Sequence, residues 1–123
     1  MNKIKNSKQY NLEERTLEFA RKVRLFIKNM PKTIGNIEDG KQVIRSSGSV
    51  GANYIEANES LSKKDFIMRI KICRKEAKES RYWFLLIDIN DDKDLERQQQ
   101  KLIQEATELM MIFGAIIKKS TND

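Results

Sequence analysis

Apolar and small residues recur every three or four positions along four stretches of the chain. Each stretch is predicted to form a helix with one buried stripe. The first stripe is Leu12, Thr16, Phe19, Val23, Phe26 and Met30. Asn11 is a good N-cap with Glu14 three residues on, and Pro31 closes the segment, so the spacing predicts a helix over 12–31. Lys32–Gly40 contains Gly35, Asn36, Asp39 and Gly40 and reads as a connector. A second helix is expected over 40–58, with Ile44, Gly48, Gly51 and Ile55 as its stripe. Glycine inside a helix costs about 1 kcal/mol relative to alanine, and close approach of a neighbouring backbone would offset that cost.

Ser62, with Asp65 at the third position, caps a third helix predicted over 63–89. Its stripe is Phe66, Ile70, Cys73, Ala77, Ser80, Phe84 and Ile87, with steps alternating between four and three. That is the seam of a helix lying nearly parallel to its neighbours. After a turn at Asn90–Asp92, Asp92 or Asp94 caps a fourth helix over 94–119. It carries Leu95, Gln99, Leu102, Ala106, Leu109, Phe113 and Ile116. A second line, Ile103, Met110 and Ile117, widens its apolar face, which suits either a subunit interface or complete burial in a monomer. Short links between four helices predict an all-α, antiparallel up-down four-helix bundle over 11–120. Met1–Tyr10 carries Lys3, Lys5 and Lys8 on no apolar face and reads as a flexible basic arm.

Composition narrows this picture. A chain of 123 residues is long enough for one core. No apolar run approaches the ~18 residues of a membrane span, and the polar start is not a signal peptide, so a soluble cytoplasmic protein with no membrane association is expected. The one cysteine, Cys73, lies on the third seam and reads as a buried thiol. The net charge of +6 permits but does not require attraction to nucleic acid, and it is unevenly spread. Between Lys63 and Arg81 eight cations face three acids; between Asp88 and Glu108 seven acids face three cations.

The chain has no histidine, which removes Ser-His-Asp and Cys-His catalysis and the histidine ligands of di-iron bundles. It has no phosphate-binding glycine loop and no cysteine cluster for zinc, so neither an enzymatic activity nor a cofactor is expected. Asn53 with Glu56, and Glu76 with Glu79, are spaced three apart and share helix faces. Antiparallel pairing about Ser60 puts Glu56 nearer Asp65 than Glu76. The carboxylates therefore read as ion-pair partners of Arg45, Arg69, Arg74 or Arg81, with a carboxylate metal site as the lesser alternative. Consecutive Tyr82 and Trp83 suit either an interface or peripheral core packing. The cations placed to meet nucleic-acid phosphates are Arg21, Arg24 and Lys28 on the first helix and Lys71, Arg74, Lys75 and Lys78 on the third. Without recognised RNA-reading motifs, such binding would be weakly sequence-specific.

The run Arg45-Ser46-Ser47-Gly48-Ser49-Val50-Gly51-Ala52-Asn53-Tyr54-Ile55-Glu56-Ala57 is followed by Lys64-Asp65-Phe66-Ile67, Glu76-Ala77-Lys78-Glu79-Ser80 and Tyr82-Trp83. Together they resemble the 23S rRNA-intervening-sequence four-helix-bundle family, most densely over Gln42–Leu86. The resemblance implies self-assembly into a homopentameric ring. A related branch implies a role beside a reverse transcriptase in diversity-generating retroelements. The expectation is a non-enzymatic assembly module that binds RNA or DNA, or an acidic or nucleic-acid-processing protein. The alternative is a protein-only scaffold. Gly48, Gly51, Asn53, Tyr54, Glu56, Tyr82, Trp83, Ile103, Met110 and Ile117 are the candidates for the oligomer interface or for close helix packing.

Overall fold

A computed structural model describes residues 11–122, and the predicted basic arm lies outside them. Four helices follow one another: α1 Leu12–Asn29, α2 Ile34–Asn58, α3 Lys63–Leu86 and α4 Lys93–Thr121. Three caps fall where the side-chain chemistry puts them. The Asn11, Ser62 and Asp92 side chains accept from backbone N–H groups of the first turns of α1, α3 and α4.

Cross-helix contacts set the direction of each neighbour. Arg45 meets Glu79 while Asn53 meets Arg69, so α2 and α3 run antiparallel. Gly40 lies beside Met30 and Gly51 beside Thr16, so α1 and α2 do as well. Gln99 donates to the Phe84 carbonyl while Gly114 faces Arg74, giving the same sense for α3 and α4. Neighbours pack extensively except for α1 and α4, which touch lightly. The core is closed across both diagonals. Phe26 of α1 meets Phe84 of α3 edge-on at 5.8 Å, and Tyr54 of α2 meets Phe113 of α4 at 5.9 Å. Phe26, Phe84 and Phe113 are fully buried, each contributing about 1.5–3 kcal/mol of hydrophobic stabilisation.

Several predicted boundaries are corrected. α1 ends at Asn29 because Met30, preceding Pro31, is held extended. α2 begins at Ile34, not near Gly40, because the Thr33 hydroxyl caps Asn36 N–H at 3.1 Å. The supposed connector is therefore mostly helix. Its Asn36 is buried: Nδ2 donates to the Pro31 and Asp88 carbonyls, and Oδ1 accepts from Asp88 N–H. This clasp takes Asp88 out of α3, which stops at Leu86 instead of Ile89. Ile87 nevertheless stays buried, and Asn90 and Asp91 turn the chain with φ of 56° and 62°, a region Asn and Asp tolerate. α4 starts one residue earlier than expected and runs to Thr121.

The buried lines of α3 and α4 match their predicted stripes, except that Phe66 is only half-buried, Glu76 is buried beside the α3 line, and Ile117, rather than Ile116, closes the α4 line. The α2 stripe is displaced. Val43, Ser47, Val50 and Ala57 face the core, Ile44 is half-buried and Ile55 is exposed. α2 is gripped from both sides, with Gly51 against Thr16 of α1 and Ser46 against Ser80 of α3. The line between those small flanks becomes its inner face, so the predicted stripe is the flank toward α1.

Candidate functional site

Two acids of α3 and two of α4 pair with arginines of other helices at two seams. Arg45 of α2 holds Glu79 at 2.8 Å and lies 3.3 Å from buried Glu76. Arg15 of α1 grips Glu105 through two nitrogens, at 2.7 and 2.8 Å, and reaches Glu108 at 2.8 Å. A hydrogen bond from Gln104, seconded by Arg15, holds the Glu108 carboxyl below its ordinary value.

What remains on the outer side of α3 is cationic. Lys71, Arg74, Lys75 and Lys78 line a groove of about 450 Å³ with Met110 of α4 as its apolar wall. All four are exposed, and among the described residues none makes an ion pair. Arg74 also runs past Gly114 of α4. The basic residues of α1 do not join this face, because α1 and α3 stand on opposite corners of the bundle. There Arg21 pairs with Glu18 at 3.6 Å, Arg24 donates to the Ala20 carbonyl, and Lys28 is exposed.

The remaining candidates divide by burial. Gly51 packs against α1, and Gly48 lies beside Arg24. Asn53 donates to Ser49 and accepts from Arg69. Tyr54 is half-buried against Phe113, and burial pushes its phenol up. Ile103 and Met110 pack on the core and Ile117 belongs to it, so the second line of α4 is used mainly within this chain. Glu56 and Tyr82 remain on the surface, while Trp83 is half-buried beneath Tyr82. The predicted pairing of carboxylates with Arg45 is present. Glu56 is not gathered with Glu76 and Glu79, and among the described residues no group of three or more Cys, Asp or Glu is placed to hold a metal ion.

Sequence reasoning missed Arg15 and Asn36. The spacing of Glu105 and Glu108, three apart on one face, was the available signal for Arg15; its partner 90 residues away was not in the pattern. The light packing of α1 on α4 leaves a larger cleft of about 950 Å³ beside this fork. Its Glu14, Glu18, Glu105 and Glu108 are mixed with Arg15, Lys22 and Lys101, so it lacks the single-sign field of the α3 groove.

These features define a class, the antiparallel helical bundle, here with a cationic groove between α3 and α4. Residues 8–115 match the family model described as 23S rRNA-intervening sequence protein, and the chain belongs to that family. No curated protein matches it. A solved structure from Bacteroides thetaiotaomicron, described as a protein of unknown function from the S23 ribosomal protein family, is 33% identical. That alignment covers 86% of this chain and 97% of the other, with a TM-score of 0.71. No helix among the described residues is long and apolar enough to cross a membrane.

Proposed function

We propose that this protein is a non-enzymatic bundle module that binds the phosphate backbone of nucleic acid along the α3–α4 groove. The observation that carries this is the sorting of charge. Glu76 and Glu79 pair with Arg45, and Glu105 and Glu108 with Arg15, at other seams, while Lys71, Arg74, Lys75 and Lys78 face one groove without counter-charge. Such a face attracts polyanions by releasing their counterions and carries little sequence information. The reading extends to a homo-oligomer, with the pentameric ring implied by the family resemblance. Repeating the groove around a ring would multiply weak phosphate contacts.

Salt-titrated binding of a labelled RNA tests it. Contacts from Lys71, Arg74, Lys75 and Lys78 would weaken binding roughly 50- to 150-fold between 50 and 200 mM salt for each copy engaged. Lys71→Glu combined with Lys75→Glu removes binding while circular dichroism stays unchanged. Affinity indifferent to salt, or to that double change, refutes the assignment.

A second reading, a protein-only scaffold, draws on exposed apolar side chains around the clasped start of α2 and end of α3. Ile34, Ile37, Leu85 and Leu86 are all exposed there. Under it, light scattering gives an assembled mass that nucleic acid does not alter.

A further inference from the structure

The cationic face runs on to exposed Arg81 and there meets an aromatic ring. Lys71, Lys75, Lys78 and Tyr82 step by four, three and four along α3, so they share one face over about 16 Å. Tyr82 is 56% exposed although it is aromatic. Its ring meets that of Trp83 edge-to-face, with centroids 5.1 Å apart and planes at 75°. Trp83, the chain's one tryptophan, is half-buried and packed on the core. Its buried Nε1 has no hydrogen-bond partner among the described residues, so packing is what holds the indole. A surface ring supported in this way has lost part of its rotamer freedom before any ligand arrives, which lowers the cost of stacking on it. The carboxylate three residues before it, Glu79, is occupied by Arg45 at 2.8 Å and adds little repulsion.

We propose that Tyr82 is a base-stacking platform at the end of this phosphate track, and that the ligand is single-stranded rather than fully paired nucleic acid. The inference rests on the phosphate-binding reading above and deepens it. In a duplex the base faces are covered by neighbouring pairs; in a single strand each base offers a free π-face to an aromatic side chain. The lysines hold the backbone and Tyr82 receives an unpaired base one helical turn beyond Lys78. Sequence preference stays low, because every base stacks.

Fluorescence anisotropy at low salt, with a short RNA strand and the same strand annealed into a blunt duplex, tests this. In Tyr82→Ala, affinity for the strand falls roughly 5- to 150-fold, the worth of one stacked base, while its salt slope and the duplex affinity stay unchanged. Tyr82→Phe retains strand binding. Trp83 emission responds to the strand in the wild-type protein and loses that response in Tyr82→Ala. An equal loss for both probes, or none, overturns the platform while leaving phosphate binding in place. If neither probe binds the wild-type protein, both readings fall. A Tyr82→Ala protein with altered mass in light scattering and unaltered strand affinity assigns the ring to a protein contact instead.

Discussion

Two glycines three residues apart on α2 should respond differently to the same substitution. A Cβ at Gly48 would have Arg24 Nη2 at 3.6 Å, an ordinary contact with the movable end of a long side chain. A Cβ at Gly51 would meet Thr16 Oγ1 at 2.8 Å and Thr16 Cβ at 3.2 Å. Thr16 has little room to yield. It is buried and β-branched, and its hydroxyl donates to the Leu12 carbonyl at 2.7 Å. Alanine gains about 1 kcal/mol over glycine in a helix interior at either site. Overpacking against Thr16 costs roughly 1–3 kcal/mol, which meets or exceeds that gain. Gly48→Ala should therefore stabilise by up to about 1 kcal/mol, raising Tm by some 3–5 °C in a domain of this size. Gly51→Ala should be neutral or destabilise by up to about 2 kcal/mol. Urea denaturation followed by circular dichroism gives both values, provided the m-value is unchanged. Thr16→Ala completes a double-mutant cycle, in which Gly51→Ala should recover about 1 kcal/mol. If Gly51→Ala stabilises as much as Gly48→Ala, or the cycle shows no coupling, α1 does not approach α2 as described.

Other consequences follow from buried and paired groups. Asn36→Ala strands the Pro31 and Asp88 carbonyls and the Asp88 N–H, and should cost about 2–4 kcal/mol in urea denaturation; a loss under about 0.5 kcal/mol would mean water already serves those groups. The folded Glu108 carboxyl titrates below its ordinary value of 4.5, so its stabilisation is present above that pH and lost as pH falls through the lowered value. The urea midpoint should drop on acidification, and drop less in Glu108→Gln; equal acid sensitivity in the two proteins contradicts the link. Burial pushes the Cys73 thiol up to about 12, so a thiol reagent at neutral pH should label it only as fast as the chain opens. Rapid labelling of the native protein would show that the α3 seam is not closed over the sulfur.

The sequence by itself determined four helices, their order and antiparallel sense, the caps at Asn11 and Ser62, a cap for α4 at Asp92 or Asp94, and the inner faces of α3 and α4. These follow from local chemistry, because a hydroxyl, amide or carboxylate reaches the next turn's N–H and a 3–4 repeat places apolar groups on one side. It also marked Lys71, Arg74, Lys75 and Lys78 as a cationic group, since spacing along a helix decides which residues share a face.

Only the tertiary structure decided which flank of α2 turns inward, because small residues on both sides made the stripe ambiguous until α1 and α3 took their places. It alone showed that Asn36 is a buried clasp and not a turn residue, since its partner Asp88 lies 52 residues away. The two basic clusters separate because α1 and α3 occupy opposite corners. The groove of α3 is left uncompensated because Glu105 and Glu108 lie on the far side of α4 from Met110 and pair with Arg15, while Glu76 and Glu79 pair with Arg45. A sequence counts charges along one chain, whereas packing decides which of them meet.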